Sequence, residues 1–266
     1  MTAQAPLDIL PLWVLFAATL VLVLVSIEIG HRLGSIRRAN SEQEPEGPVG
    51  GMVGATLGLL AFLLAFTFGL AASRFDLRRQ LVLEEANAVG TTWLRAGMLP
   101  EHRDEIRSLL ARYVDVRVEG VQSLKFGEAR RQSEEIQTHL WDRATDVAQK
   151  NAGSIVVGLF VQTLNEMIDI HSKRVFAVTQ NRIPTAIWAS LYLVAVLSLA
   201  AMGYHAGVVG RTRSLAVLAV AITFSAVLWL IADLDRPNEG VLNVSQQALI
   251  DVRASMSPAT TTATPP

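Results

Sequence analysis

Long apolar runs alternate with polar stretches along this chain. Four runs, at residues 9–30, 49–73, 185–206 and 215–233, contain almost no charged residues. A helix needs roughly 20 mostly apolar residues to cross about 30 Å of hydrocarbon. The first run is too long, and lacks the basic leader, for a cleaved signal peptide. The pattern therefore predicts an all-α membrane protein with four transmembrane helices.

A polar region, residues 74–184, separates the second and third runs. Its apolar residues recur at three- and four-residue steps, which is typical of amphipathic helices. We expect a helical-bundle domain here, with helices starting near Asp76, Glu101, Phe126 and Ser154. This domain would lie between a first transmembrane hairpin at 1–73 and a second at 185–235. The C-terminal segment, 236–266, should be disordered from about residue 256, where Thr, Ala and Pro dominate.

One stripe of residues follows the second apolar run and continues into the polar region. No helix breaker intervenes, so the sequence predicts one continuous helix to about Gly97. Steps of three or four residues place ten side chains on one face of it: Phe62, Phe66, Gly69, Ser73, Asp76, Gln80, Glu84, Asn87, Thr91 and Arg95. If several copies ringed an axis, the phenylalanines would form a hydrophobic constriction and the polar residues would line a wet mouth. Alternatively, the phenylalanines are packing residues and the polar stripe is a solvated face.

Two further groups stand out in the apolar runs. Gly50, Gly54 and Gly58 are spaced for close helix packing, either within the chain or between subunits. Asp233, Asp235 and Arg236 end the fourth run and predict a structural charge cluster. In that cluster Arg236 would pair with a carboxylate, while Asp235 would receive an arginine or donors from the following turn. No run carries a charge near its middle, which argues against ion-coupled transport.

Composition narrows the function classes. The chain is 51% hydrophobic and 18% charged, and its net charge of −1 provides no basic field for nucleic acid. It has no cysteine and five scattered histidines, and P-loop, HExxH and GxSxG motifs are absent. We therefore expect no catalytic residues, no metal site and no cofactor, and we do not expect an enzyme.

The charges of the loops bear on orientation. Arginines concentrate in the two short connections between apolar runs, at Arg32, Arg37, Arg38, Arg211 and Arg213. The positive-inside rule places such connections in the cytoplasm, so the helical domain would be extracytoplasmic. The domain's own membrane-proximal arginines point the other way, but long domains are weak evidence for this rule.

Several segments, in this order, resemble the bacterial bestrophin-like membrane family, an uncharacterised domain family. The resemblance covers roughly residues 32–250, and its segments are Ala65–Phe68, Arg74–Gln80, Glu84–Arg95, Asn181–Pro184 and Asp233–Pro237. The family is remotely similar to bestrophins, which are pentameric anion channels with four spans per subunit and a large cytosolic region. The resemblance implies an oligomeric ion channel in the bacterial inner membrane, with the second span lining the pore and Phe62 and Phe66 at its aromatic neck.

The sequence departs from bestrophins in its charges. Asp76 and Glu84 face only one cation of the stripe, Arg95, so a ring of this stripe would favour cations. No acidic cluster has the spacing of an EF-hand calcium site. The expected partners are the lipid bilayer and further copies of the chain, and no protein partner is indicated. The alternative function is a non-conducting membrane scaffold or sensor whose helical domain binds a partner.

Overall fold

The computed structural model describes residues 10–40, 46–123, 126–210, 215–237 and 240–256. Every regular element in these ranges is an α-helix, as the sequence predicted. The eight helices are α1 (Leu12–Asn40), α2 (Glu46–Ala96), α3 (Arg103–Gln122), α4 (Phe126–Lys150), α5 (Ile155–Thr179), α6 (Thr185–Val209), α7 (Leu215–Asp235) and α8 (Gln247–Met256). Four of them, α1, α2, α6 and α7, are long and apolar enough to cross a membrane. The expected four-span architecture is therefore confirmed.

The chain divides into two compact units. The membrane unit is made of the described residues of Met1–Phe75 and Asn181–Leu242, which contain α1, the first part of α2, α6 and α7. Its core is apolar and includes Leu60, Leu191, Leu228 and Ile231, each almost completely buried. Because lipid is as apolar as these side chains, close packing has to stabilise the contacts between the helices.

Glycines provide that close packing between α1 and α6. A Cβ atom at Gly30 or Gly34 would collide with the backbone of α6, and one at Gly203 or Gly207 would collide with the backbone of α1. The four glycines form two small-xxx-small pairs that face each other, so the two backbones approach closely. The glycine spacing in the sequence indicated the second span and did not predict this pair of helices.

The second unit comprises Asp76–Gln180 together with the described residues after Asn243. It contains the remainder of α2, then α3, α4, α5 and α8. Its core includes Tyr113, Leu140, Phe160, Leu164 and Met167, all fully buried. Their three- and four-residue spacing gives each helix one apolar stripe, which explains why the bundle forms.

Local signals set several helix ends. The Ser154 hydroxyl accepts a hydrogen bond from the Val157 N–H and caps α5. Pro184 immediately precedes α6, where its missing N–H is harmless. Gly210 ends α6 in the left-handed conformation, with φ 74°, which favours glycine. The chain leaves α7 at Asp235 and reaches Pro237 two residues later.

The helices extend the sequence expectations in two places. The helix of the first span continues to Asn40, well beyond residue 30, and the C-terminal segment forms the unexpected helix α8. The predicted continuity of the second helix is confirmed, since α2 runs unbroken for 51 residues. The predicted disorder after residue 256, the loop residues Arg211 and Arg213, and the start of the first run at residue 9 lie outside the described residues.

Candidate pore-lining face

The predicted stripe lies on one face of α2 that the described part of the chain leaves uncovered. Eight of its members are exposed, and Glu84 and Arg95 are half-buried. Phe62 is 66% exposed and Phe66 is 65% exposed, whereas Leu60 and Leu64 on another face of the same helix are buried. Large aromatic side chains are usually buried, so two that are exposed on one face indicate a surface that contacts lipid or another protein molecule.

The glycines of the second span extend this exposed face toward the start of α2. Gly54 and Gly58 precede Phe62 at four-residue steps, and a Cβ atom at either position would meet nothing within 4 Å. Only Gly50 approaches another helix, because its Cβ would lie 3.4 Å from the His205 ring on α6. Gly54 and Gly58 thus make no close packing contact with the rest of the chain that the structure describes.

The polar half of the stripe is partly ordered by side-chain contacts. Gln80 Nε2 donates to Glu84 Oε1 at 2.8 Å. Arg95 Nη1 donates to the backbone carbonyl of Leu159 on α5 at 2.7 Å. A carbonyl oxygen accepts this hydrogen bond without neutralising the guanidinium, so Arg95 contributes a positive charge to the stripe.

Helix α5 adds a second wall to this polar half, which the sequence did not predict. A groove between the two helices is lined by Glu84, Asn87, Thr91 and Arg95 of α2 and, among others, by Gln162, Asn165, Glu166, Asp169 and Lys173 of α5. In the sequence these α5 residues look like an ordinary solvated helix face. Only the packing of α5 against α2 places them beside the stripe.

A buried polar cluster occupies another side of α2. Glu85 has no exposed surface and accepts hydrogen bonds from the Tyr113 hydroxyl and from Arg174. Arg117 Nε lies 3.1 Å from Glu85 Oε1, and Arg174 Nη2 donates to Gln246 Oε1 at 3.2 Å. A buried carboxylate is stable only when it is paired in this way, so the cluster ties α2 to α3, α5 and the segment before α8.

His171 completes this cluster in its neutral form. Its Nδ1 lies 3.1 Å from the Tyr113 hydroxyl oxygen. Because the single Tyr113 proton is donated to Glu85, Nδ1 must carry the hydrogen and donate to Tyr113. Burial, reinforced by the charge of Arg117, lowers the pKa of His171 to about 4. Burial also raises the pKa of Tyr113 to about 12. Neither group changes charge near neutral pH.

The charged residues at the end of α7 are all buried. Asp233 accepts hydrogen bonds from the backbone N–H groups of Val241 and Leu242, at 2.9 and 3.1 Å. Asp235 accepts from Arg182 Nε at 3.0 Å, and Arg236 Nη2 donates to the carbonyl of Leu10 at 2.7 Å. These contacts fasten the end of α7 to three segments of the membrane unit: the residues that follow α7, the segment before α6 and the residues before α1.

One group in the described part of the chain has the side chains of a metal site, namely Glu101, His102 and Asp146. The Lys150 ammonium already lies 3.0 Å from Glu101 Oε2 and 2.9 Å from Asp146 Oδ2. Its hydrogen bond lowers the pKa of Asp146, with a further contribution from His102. The lysine thus supplies the positive charge that a metal ion would bring, and the group is an ion-pair network on the surface of the second unit.

Comparisons with known proteins agree with this architecture. The sequence matches the family model of the bestrophin-like domain over residues 16–249. Three variant structures of a bacterial bestrophin homolog from Klebsiella pneumoniae align with 92%, 91% and 88% of this chain and with 97%, 97% and 98% of their own. Their TM-scores are 0.65, 0.65 and 0.60, and their sequence identities are 14%, 15% and 16%, so the likeness is one of fold. No curated protein sequence matches the chain.

Proposed function

Because the chain belongs to the bestrophin-like family, we propose that this multi-pass membrane protein forms a homo-oligomeric ion channel with α2 lining the pore. The observation that carries the proposal is the uncovered face of α2. Gly54, Gly58, Phe62 and Phe66 follow one another on that face, and no part of the described subunit packs over it. In a ring of at least three subunits this face would turn toward the axis.

The membrane part of the face has the chemistry of a gate. Glycines at one end leave a wide lumen, while the Phe62 and Phe66 rings narrow it further along. Apolar rings resist the entry of water, and a hydrophobic constriction closes a pore by dewetting without any moving plug. Beyond the phenylalanines, Ser73 begins the polar part of the stripe, where water and ions are readily accommodated.

The charges at the mouth favour cations. On α2 the stripe contributes two carboxylates, Asp76 and Glu84, and one cation, Arg95. The α5 wall adds two further carboxylates, Glu166 and Asp169, and one cation, Lys173. Four carboxylates against two cations leave a negative mouth in every subunit. Symmetry multiplies this charge around the axis, so the channel should prefer cations weakly.

The location proposed for the channel is the bacterial inner membrane. Arg32, Arg37 and Arg38 lie near the end of α1, and the positive-inside rule supports a cytoplasmic position for the connection between α1 and α2. The second unit, which follows α2, then lies on the extracytoplasmic side.

Planar bilayers containing the purified protein test the channel directly. Under a KCl gradient we expect currents whose reversal potential is displaced toward the potassium equilibrium value. The double variant Asp76→Asn, Glu84→Gln should move the reversal potential toward zero. The matched control is Glu134→Gln, Glu135→Gln, which removes two exposed carboxylates of α4 and should leave the reversal potential unchanged.

Two results would overturn the proposal. A reversal potential near the chloride equilibrium value contradicts the assignment of the mouth residues. Folded, reconstituted protein that carries no current, together with a monomer or compact dimer in solution, favours the scaffold or sensor function instead.

A further inference from the structure

One carboxylate in the membrane unit faces two arginines. Asp235, at the end of α7, is 2% exposed. Its Oδ2 accepts a hydrogen bond from Arg182 Nε at 3.0 Å, and its Oδ1 accepts the backbone N–H of Ile183 at 3.0 Å. Arg74 of α2 approaches the same carboxylate, with Nη1 3.8 Å from Oδ1. Asp235 therefore joins α7, the segment before α6 and the proposed pore helix.

The Arg74 contact differs in kind from the other two. Its length of 3.8 Å exceeds that of a hydrogen bond, and Arg74 Nη1 is buried without a hydrogen-bond partner among the described residues. The attraction to Asp235 is electrostatic. Because both side chains are mostly shielded from water, that attraction is stronger than it would be at an exposed surface.

Arg74 is placed where it can control the rotation of α2. It adjoins Ser73 of the stripe, at the boundary between the apolar and polar parts of the helix. At 3.6 residues per turn, Arg74 lies about 80° around the helix from Phe66. The neighbouring core contacts of α2, made by Leu60, Leu64 and Ala71, are apolar and therefore weakly directional. A charge contact at a defined angle around the helix fixes the rotation of α2 more firmly than these apolar contacts do.

We propose that Arg74 and Asp235 form a positioning pair that sets the rotation of α2 and so turns Phe62 and Phe66 toward the pore axis. This inference rests on the proposed function, because it assumes that α2 lines the pore. Neither residue touches a permeating ion in this assignment. Both act through the direction in which the phenylalanines point.

The absence of native cysteine makes the rotation measurable. Phe66→Cys reports the face that should point to the axis, and Ala65→Cys reports an exposed position about 100° away. Cross-linking of the assembled channel with a flexible bis-maleimide should join subunits through Phe66→Cys more efficiently than through Ala65→Cys. When Arg74→Gln is combined with each cysteine variant, the ratio of the Phe66→Cys yield to the Ala65→Cys yield should change about fivefold. A fivefold change corresponds to the loss of a contact worth about 1 kcal/mol.

Three further variants separate a positioning role from general damage to the fold. Arg79→Gln removes the same charge from an exposed position on the same helix and should leave the ratio unchanged. Arg74→Lys keeps the charge and should restore most of the original ratio. If Arg74→Gln does not fold, Arg74→Met retains the packing of the side-chain stem and replaces it in the comparison.

The outcomes distinguish the inference from the function on which it rests. An unchanged ratio in Arg74→Gln, with efficient cross-linking through Phe66→Cys, contradicts the positioning pair and leaves the pore assignment intact. Folded protein that does not cross-link through Phe66→Cys in the otherwise unchanged chain contradicts the pore assignment, and the positioning role with it.

Discussion

Glu84 and Glu85 are adjacent carboxylates that face different sides of α2. Glu84 lies beside the groove with α5, and Glu85 is completely buried among Tyr113, Arg117 and Arg174. In a helix consecutive side chains point about 100° apart, so one residue can serve a wet surface while its neighbour holds the core together. The buried member needs two guanidiniums because a lone carboxylate at this site would be strongly destabilising.

The pKa of His171 predicts a loss of stability on acidification. Its pKa is about 4 in the folded protein and ordinarily about 6.5. Between these values the unfolded chain binds a proton that the folded chain does not, so the free energy of unfolding falls as the pH falls through this window. The full effect is about 3 kcal/mol. Thermal unfolding of the detergent-solubilised protein between pH 7 and 4 measures it.

Two histidine variants identify the source of this slope. His171→Leu should flatten the dependence of Tm on pH between about 6.5 and 4. His139→Asn, at an exposed position on α4, should keep the slope of the unchanged protein. If His171→Leu and the unchanged protein showed the same slope, His171 would not be the neutral buried group described above.

At the scale of elements, the sequence predicted helices better than it predicted their partners. Apolar runs and three- to four-residue periodicity located α1 to α7, since these patterns reflect burial directly. The glycine pattern was ambiguous, because the same spacing occurs on α2 and on α1 with α6. A pattern of small residues shows that a close approach is possible, but it does not specify which helix approaches.

The other features that the sequence did not predict also depend on which elements pack together. Helix α8 has ten residues, and its burial centres on Leu249, so it has little periodicity of its own. The groove wall of α5 and the cluster around Glu85 both depend on contacts between residues far apart in sequence. The stripe on α2 was accessible to sequence analysis because all ten residues lie on a single helix, and its role in a pore remains a proposal.

The glycines of α1 and α6 give a direct test of the helix packing. Gly30→Ala would push a Cβ atom into the backbone carbonyl of Ala200, so the helices must separate. We expect a destabilisation of about 1–3 kcal/mol, the usual cost of overpacking, seen as a lower Tm and a lower yield of folded protein. Gly51→Ala is the matched control, because a Cβ there meets nothing within 4 Å. Equal losses in both variants would contradict the close packing of α1 against α6.

Four membrane crossings place alternate connections on opposite sides of the membrane. Single cysteines can be added at Arg37, near the end of α1, and at Glu128, on α4, both at exposed positions. In intact cells an impermeant maleimide should label Glu128→Cys and leave Arg37→Cys unlabelled until the cells are opened. The reverse result would place the second unit in the cytoplasm, and labelling of both from outside would exclude the four-span topology.

Phe62 and Phe66 of α2 are proposed to line a conducting pore. The most direct measurement is the current through Phe66→Cys channels before and after modification with positively or negatively charged methanethiosulfonate reagents. A charge placed at the constriction of a cation pore acts on every passing ion, so the positive reagent should reduce potassium current and the negative reagent should not. Leu197→Cys on α6, also exposed and apolar, should respond to neither reagent. Modified Phe66→Cys channels whose current is unchanged by both reagents would contradict the claim.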